Sequence, residues 1–157
     1  EPNFLEDIAD HALKLLAPDL AARKVEVFKE YQPGLPEASV DRDQISQVFL
    51  NLLLNAIESM EGGGEIRLTL RRCGPPPAVE AAIADTGAGI PADDLEKVFE
   101  PFFSRKRKGT GLGLAIVHQI IESHRGEIRV ESGPGRGTTF RINLPVDGDS
   151  DSRQGDG

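Results

Sequence analysis

Two glycine clusters in the second half of the chain restrict its possible folds more than any other feature. The first begins at Asp85 and reads D-T-G-A-G, and the second spans residues 109–114 and opens a helical apolar pattern. Glycine lets the backbone pass close to a flat ligand and adopt conformations that other residues avoid. A glycine-rich helix start also presents N–H groups and the positive end of the helix dipole to an anion. Together the clusters predict a nucleotide pocket.

Each cluster taken alone has a plainer interpretation. Asp85, Gly87 and Gly89 could form only a tight turn with a solvated aspartate, and the second cluster could be a hinge before a core helix. The second cluster is not a P-loop, because no G-K-[ST] follows it. It also lacks the preceding strand of a dinucleotide-binding fingerprint. The prediction therefore depends on the two clusters occurring together.

The segment between the clusters combines an apolar anchor with a run of cations. Phe99, Phe102 and Phe103 are followed by Ser104 and by four consecutive basic residues at 105–108. Runs of like charge are usually solvated and mobile. Since this run lies between two predicted ligand-binding turns in a chain of net charge -8, we interpret it as a lid over a polyanion.

A long helix is predicted over residues 44–60, with Asp41 or Asp43 as its N-cap. Its apolar residues form more than one stripe, so the helix should be covered on several sides. Asn51 and Asn55 lie four residues apart on the same face, at the edge of the main stripe. Their amide oxygens could serve Mg²⁺, which prefers oxygen ligands and keeps several waters. The alternative is a pair of buried asparagines satisfied by neighbouring backbone.

The rest of the chain reads as strands and shorter helices. A first helix should end at Pro18, and a later helix over 112–124 should be stopped by Gly126, with His118 and His124 on its surface. From Val146 the sequence predicts a disordered tail or linker, so the folded domain is 1–145 and the tail 146–157. Apolar and polar alternation predicts five strands, at about 25–29, 65–71, 78–84, 127–131 and 138–144.

Composition narrows the class of protein. The 157 residues, 38% hydrophobic and 28% charged, suit a single soluble globular domain without a membrane span or signal peptide. The net charge of -8 argues against a nucleic-acid binder. The lone Cys73 permits neither an internal disulfide nor a zinc cluster, which fits a reducing cytoplasmic setting. Because the chain starts within a helical pattern without a methionine, we expect it to be a fragment with a further segment upstream.

Taken in order, the motifs resemble the ATP-binding catalytic domain of bacterial sensor histidine kinases, within the superfamily that includes DNA gyrase, the ninety-kilodalton heat-shock chaperones and mismatch-repair ATPases. The resemblance covers nearly the whole chain. It implies an α/β (α+β) fold, a two-layer sandwich in which about three helices cover one face of a mixed sheet of about five strands, with an ATP lid. Residues 51–56 are similar to the N box, 85–89 and 109–114 to the two glycine boxes, 99–103 to the F box, and 135–145 to the terminal hairpin.

The resemblance also implies roles for individual residues. Asp85 would accept a hydrogen bond from the adenine amino group, Thr138 would support it through a water, and Gly87 and Gly89 would pass near the base. Asn55 would ligate Mg²⁺, and Asn51 would assist at the phosphates or the waters of the metal. The phosphate chain would be held by Lys106 and by the second glycine box, that is Thr110, Gly111, Leu112 and Gly113. Asn51, Asn55 and Lys106 would thus be the catalytic residues.

Two features favour a kinase over a self-contained ATPase. Gyrase-like and chaperone-like relatives carry a glutamate as general base where this chain has Asn51, and an amide cannot take that proton. None of the three histidines, His11, His118 and His124, lies in the H-E-x-x-x-P setting of the family's phosphoacceptor. The implied function is therefore transfer of the γ-phosphoryl group of Mg·ATP to a histidine on an upstream helical dimerisation domain, within a two-component system.

The resemblance implies further properties of the whole protein. A response regulator would be an indirect partner, the fragment itself would be monomeric and outside any membrane, and the full-length protein could carry a membrane anchor. The competing hypotheses are an ATP-driven conformational clamp, an anti-sigma-type serine kinase, and a regulatory nucleotide-binding module without catalysis.

Overall fold

The computed structural model describes residues 2–100 and 113–146, which form two layers. The strands are β1 (Pro2–Asn3), β2 (Val25–Tyr31), β3 (Ala38–Ser39), β4 (Gly64–Cys73), β5 (Ala78–Asp85), β6 (Glu127–Ser132) and β7 (Thr138–Pro145). A five-stranded sheet has the order β2-β4-β5-β7-β6, with β2 parallel to β4 and the other neighbours antiparallel. The helices are α1 (Leu5–Leu15), α2 (Ala17–Ala22), α3 (Arg42–Glu58), α4 (Ala92–Leu95) and α5 (Gly113–Ser123).

The core lies between the inner face of the sheet and three helices. Leu68, Ile83 and Phe140 stand side by side across β4, β5 and β7, and all three are fully buried. Helix α3 packs against α1, α5 and β5, and is therefore the centre of the helical layer. This arrangement is the predicted two-layer α/β sandwich with helices on one face, and the fold prediction is confirmed.

The outer face of the sheet is polar. Glu80 on β5 lies between two cations, since its Oε1 is 2.9 Å from Arg71 Nε and 3.4 Å from Arg141 Nη1. Such half-exposed pairs contribute little stability each. The charged outer face and the apolar inner face follow the alternation of side chains along a strand.

The long helix predicted over residues 44–60 has one of its two predicted N-caps but ends two residues earlier than predicted. Asp41 is its N-cap, and the Asp41 side chain accepts the Gln44 N–H at 3.0 Å. Helix α3 ends at Glu58, with Ser59 as C-cap. The five predicted strands are all present with slightly longer bounds.

The prediction that Pro18 ends the first helix was wrong. Helix α1 ends at Leu15, and Pro18 lies in the first turn of a separate short helix, α2. Proline is tolerated there because the first-turn N–H groups have no partner within the helix. The small sheet of β1 and β3 was also not predicted, because strands of two residues are too short to show periodicity.

Helix α5 ends in a Schellman motif. The Gly126 N–H donates to the Ile121 carbonyl at 2.9 Å, and the Arg125 N–H donates to Glu122 at 3.0 Å. Arg125, with a φ of 61°, takes the left-handed position, so the prediction that Gly126 itself stops the helix was wrong by one residue. Gly126 is still required, because a Cβ there would clash with the Asn143 carbonyl.

Val146 is the first residue of the predicted tail and the last residue that the structure describes in this part of the chain. Val146 packs against the core and donates its N–H to the Pro77 carbonyl at 3.1 Å. Residues 147–157 lie outside the described part. Among the described residues, no helix is long and apolar enough to cross a membrane.

Candidate functional site

Asp85 lies at the end of β5, where its side chain is 7% exposed. Its Oδ1 accepts two backbone hydrogen bonds, from Gly87 N–H at 2.8 Å and from Thr138 N–H at 3.2 Å. The second bond follows from sheet register, because Asp85 and Thr138 are paired partners on β5 and β7. Two N–H donors on one oxygen fix the direction of the carboxylate, so a ligand would meet a preorganised acceptor.

The loop after Asp85 packs closely against other parts of the protein. A Cβ at Gly87 would clash with Ser59, and one at Gly89, whose φ is 82°, would clash with the Gly133 carbonyl. The prediction ascribed these glycines to the close approach of a ligand. The structure gives a further reason for glycine at these two positions, because the loop passes between the end of α3 and the turn joining β6 to β7.

A network of hydroxyl groups lies beside Asp85 and includes Thr138, which is 5% exposed. Thr138 Oγ1 is 2.9 Å from Ser132 Oγ on the neighbouring strand β6. Ser132 Oγ also accepts the Ile90 N–H at 2.7 Å and donates to the Gly137 carbonyl at 2.8 Å. Ser132 therefore joins the loop at residues 87–90 to the terminal hairpin.

A polar face of α3 connects the two predicted glycine clusters. Asn51, Asn55 and Ser59 are spaced four residues apart, so they follow one another along one side of the helix. Asn51 Nδ2 donates to the Gly113 carbonyl at the start of α5, at 3.4 Å. At the other end, the Ser59 carbonyl accepts the Ala88 N–H at 3.4 Å. Asn55 lies between these contacts and is half-buried.

The apolar anchor before the basic run packs against both layers. The Phe99 ring lies 5.5 Å from the His118 ring of α5 and 6.2 Å, edge-on, from the Phe140 ring of β7. Val98 beside it is buried. The end of the described segment at residue 100 is therefore fixed close to α5 and to the sheet.

Several predicted site residues lie outside the described residues. They are Lys106, Thr110, Gly111 and Leu112, together with Phe102, Phe103, Arg105, Arg107 and Lys108 of the predicted lid. The structure brings together the others, in two groups that α3 connects: Asp85, Gly87, Gly89 and Thr138 form one, and Asn51 with Gly113 forms the other.

Sequence reasoning missed Ser59, Ser132 and His124. Ser59 carried a signal, since it continues the spacing of the two asparagines. Ser132 directly follows the strand predicted over 127–131, in phase with its inward-facing residues Ile128 and Val130. His124 was expected on the surface, yet it is half-buried and its Nε2 accepts the Asp41 N–H at 3.0 Å. That bond ties the end of α5 to the start of α3.

The side chains at this site suit a metal ion that takes few of its ligands from the protein and the rest from a bound phosphate compound and water. The described residues contain no group of three His, Cys, Asp or Glu side chains that could hold a metal ion. An amide oxygen such as that of Asn55 is a hard ligand, and Mg²⁺ commonly takes few protein ligands and several oxygens from phosphates and water. A magnesium ion here would thus depend on a phosphate-bearing ligand.

Residues 40–148 match the family of histidine kinase-, DNA gyrase B-, and HSP90-like ATPases. The chain is 45% identical over 157 residues to the sensory histidine kinase/phosphatase NtrB of Rhodobacter capsulatus. This match covers 93% of the chain and 44% of NtrB. It is 41% identical over 151 residues to the sensor histidine kinase ZraS of Klebsiella oxytoca, covering 96% of the chain and 32% of ZraS. The chain thus spans less than half the length of these relatives.

The solved structures that this chain resembles are also those of histidine kinases. The nucleotide-free catalytic domain of the histidine kinase ThkA superposes with a TM-score of 0.82 at 30% identity, covering 93% of this chain and 95% of that domain. ThkA has also been solved in complex with the response regulator protein TrrA, where the TM-score is 0.80 at 28% identity, covering 94% of this chain and 42% of that one. The family model, the relatives and the shared fold confirm the resemblance, and this chain belongs to the family of histidine kinase-, DNA gyrase B-, and HSP90-like ATPases, with the fold of a histidine kinase catalytic domain.

Proposed function

We propose that this domain binds Mg·ATP and donates the γ-phosphoryl group to a histidine on a separate helical dimerisation domain, as the catalytic part of a sensor kinase. The observation that carries this proposal is the buried Asp85 carboxylate, which two backbone N–H groups hold in place at the end of the central strand β5. A fixed, buried anion of this kind is a strong acceptor for an exocyclic amine. We therefore assign it to the adenine amino group.

The neighbouring residues suit an adenine base. Thr138 pairs with Asp85 across β5 and β7, so its hydroxyl can support the base through a water. The backbone at Gly89 borders the same space, and the loop that carries it is fixed by Ile90 and Ser132. Rigid surroundings raise affinity, because fewer groups must be ordered when the ligand binds.

The metal and phosphates belong at the other end of the polar face of α3. In our proposal Asn55 provides a protein oxygen for Mg²⁺, and Asn51 sits one turn earlier against Gly113. Lys106 and the backbone of Thr110, Gly111, Leu112 and Gly113 hold the phosphate chain. The magnesium ion supplies neutralisation of phosphate charge, and phosphoryl transfer needs little beyond that and positioning.

The histidines of the described helices support transfer to a separate domain. His124 is engaged in holding α5 to α3, and His118 lies against Phe99, so neither is presented as an acceptor. His11 is exposed on α1, but it lies in the sequence H-A-L-K and not in an H-E-x-x-x-P setting. Since the relatives are more than twice as long as the matched region, we place the acceptor histidine in a helical domain upstream. A response regulator would then receive the phosphoryl group from that histidine.

Position 51 argues for a kinase over a hydrolase. The Asn51 amide nitrogen donates to the Gly113 carbonyl, and an amide has no basic site to activate water. Bound ATP should therefore persist until an acceptor histidine approaches. We also place this activity in the cytoplasm, whether or not the full-length protein carries a membrane anchor.

The proposal is tested by calorimetric titration with Mg·ATP, followed by measurement of ADP in the same cell. We expect binding with almost no ADP, and acid-labile phosphate on the helical domain when that domain of the full-length protein is added. Continuous ADP production would instead support a conformational clamp ATPase. Acid-stable phosphate on a partner protein would support a serine kinase.

A further inference from the structure

Helices α3 and α5 run antiparallel and are joined by two hydrogen bonds at separate points along their length. Where α3 starts and α5 ends, the Asp41 N–H donates to His124 Nε2 at 3.0 Å. Where α5 starts, Asn51 Nδ2 donates to the Gly113 carbonyl at 3.4 Å. The two bonds are ten residues apart on α3 and eleven residues apart on α5, about 15 to 17 Å at the rise of an α-helix. Together they fix the position of one helix along the other.

The partners of the His124 ring fix the place of its hydrogen. Nδ1 lies 2.8 Å from the Ile120 carbonyl oxygen, which can only accept, so Nδ1 carries the hydrogen. The Asp41 N–H can only donate, so Nε2 must present a lone pair. The bond between the two helices therefore requires the neutral ring with its hydrogen on Nδ1.

A second proton on the ring would occupy Nε2 and break this bond. An imidazolium has no acceptor and would direct an N–H group at the Asp41 N–H. The contact lies at the surface, so protons from the solvent can reach the ring.

The charges around this contact do not replace the lost bond. The charged residues next to it along the chain are Asp41, Arg42 and Asp43 on α3, Glu122 and Arg125 beside His124, and Glu127 at the start of β6. Within residues 2–100 and 113–146, none of them forms an ion pair with His124. The Asp41 carboxylate already accepts the Gln44 N–H as the N-cap of α3.

We propose that His124 is a positioning residue that fixes α5 along α3, and that protonation of its Nε2 releases the two helices from this position. Gly113 at the start of α5 is assigned to the phosphate chain, and α3 carries Asn51 and Asn55. With His124 neutral, these groups are aligned before ATP binds, so less has to be ordered on binding. With His124 protonated, only the bond between Asn51 and Gly113 remains of the two.

ATP affinity should therefore fall at low pH because of a residue that lies about 15 Å along the helices from the phosphate end of the site. This inference rests on the proposed function, because it requires the phosphates between α3 and the start of α5. It adds a residue that acts on the nucleotide only through the alignment of two helices.

His124→Gln separates protonation of the ring from its packing. The glutamine oxygen can accept the Asp41 N–H in place of Nε2 and gains no proton at these pH values. His124→Leu removes the acceptor at every pH. Calorimetry with Mg·ATP measures the affinity of each protein at about pH 7.5 and at about pH 5.5, on either side of the range in which histidine usually titrates. Titration of ATP itself is the same in every sample, so the ratio of affinities between two proteins isolates position 124.

At the higher pH the unaltered protein and His124→Gln should bind ATP about equally. His124→Leu should bind it more weakly, on the order of threefold to fivefold, which corresponds to part of one hydrogen bond. At the lower pH the unaltered protein should fall below His124→Gln by the same factor.

Three results would overturn the proposal. The first is equal affinity of the unaltered protein and His124→Gln at both pH values. The second is a glutamine variant as weak as the leucine variant at the higher pH, because an acceptor would then not matter. The third is tighter binding by the unaltered protein than by His124→Gln at the lower pH, because the Asp41 carboxylate would then hold the protonated ring in place.

His11→Gln is the matched control for removal of a histidine. His11 is exposed on α1, so this variant should show the same affinities as the unaltered protein at both pH values.

NMR of the unaltered protein, labelled with ¹⁵N in its three histidines, gives a result even if the variants do not fold. Near neutral pH the ring nitrogen shifts of His124 should show a hydrogen on Nδ1 and none on Nε2. A hydrogen on Nε2 would overturn the proposal.

The two levels of inference fail differently. Absence of ATP binding by the unaltered protein at the higher pH would remove the proposed function itself. The bond between the helices would still be measurable, since the melting temperature without nucleotide should fall more at low pH in the unaltered protein than in His124→Gln. ATP binding with no difference between these two proteins would remove only the role of His124.

Discussion

Asp85 has one observed role and one proposed role, which involve different carboxylate oxygens, and a substitution can separate them. Oδ1 accepts the N–H groups of Gly87 and Thr138, which stabilises the loop and the hairpin. The other oxygen is the one we assign to the adenine amino group. Asparagine can keep the first task with its carbonyl oxygen but must aim an NH₂ group at the base.

Asp85→Asn should therefore lower ATP affinity while leaving the fold intact. Replacing a charged acceptor by a donor removes a charge-assisted hydrogen bond, so affinity should fall on the order of tenfold to a hundredfold by calorimetry. Asp85→Ala provides the contrast, because it leaves two N–H groups without an acceptor, at about 1–3 kcal/mol each, and should also lower the melting temperature. Unchanged affinity in Asp85→Asn would mean that the base binds elsewhere.

Tyr31 gives a prediction that does not depend on nucleotide. Burial, the hydrogen bond from its hydroxyl to Asp10 Oδ1 at 2.8 Å, and the charges of Asp10 and Glu6 raise the pKa of Tyr31 far above its usual value. A raised pKa means that the folded state favours the neutral phenol. The neutral phenol therefore contributes its full stabilisation below pH 10 or so, the pKa of a tyrosine in the unfolded chain, and this stabilisation is lost as the pH rises further.

Alkaline titration can be followed without ambiguity, because Tyr31 is the only tyrosine in the chain. Phenolate absorbance should appear only together with unfolding, well above pH 10 or so. Asp10→Asn should lower the pH at which phenolate absorbance appears, whereas Asp7→Asn on the same helix should leave that pH unchanged. Ionisation near the usual pKa, with the circular dichroism of the fold retained, would contradict this reading.

Helix α3 is the element that relates the two ends of the site. Its central position in the helical layer buries one side, while Asn51, Asn55 and Ser59 line the side that contacts α5 and the loop after β5. A single rigid helix therefore sets the spacing between the end where we place the base and the end where we place the phosphates. Residues on rigid elements hold a site more accurately than residues on loops.

Asn55→Ala should remove the effect of Mg²⁺ on ATP binding while leaving recognition of the base. The amide oxygen is the protein ligand we assign to the metal, and alanine offers none. Calorimetric titrations with Mg²⁺ and with a chelator should then give similar affinities for the variant. Asn143→Ala, on the outer face of the sheet, is the control and should keep the full difference. Full Mg²⁺ dependence in Asn55→Ala would rule out this assignment.

The elements that could be predicted from sequence are those with a long periodic pattern. The alternation along β4 and the stripes of α3 were sufficient to locate them, and the order of motifs was sufficient to identify the fold. The roles of Ser132 and His124 could not be predicted, because each depends on a partner far away in the sequence. Ser132 bonds Ile90 across 42 residues, and His124 bonds Asp41 across 83. Strands β1 and β3 were too short to leave a pattern.

At the scale of the whole molecule, the site is built from segments that the fold brings together from both halves of the chain. A ligand that binds only the complete site stabilises the folded state by mass action. At a concentration of about one hundred times Kd the gain is roughly 2.7 kcal/mol.

ATP should therefore raise the melting temperature by about 5 to 10 °C under those conditions, from the usual 2 to 4 °C for each kcal/mol in a chain of this size. GTP should give a much smaller shift, because its O6 acceptor would face the Asp85 carboxylate. Thermal unfolding followed by circular dichroism measures both. Equal shifts with the two nucleotides would show that Asp85 does not read the base.

The pairing of Asp85 with Thr138 has a consequence for synthesis of the protein. The ribosome makes β5 before α5, β6 and β7, so a nascent chain that ends before residue 138 has the aspartate but lacks one of the N–H groups that orient it. Such a chain also lacks the Thr138 hydroxyl that we place beside the base. With the base at the site we propose, cellular ATP would stabilise only a domain whose last hairpin has emerged and closed, and partly made chains would gain no such protection.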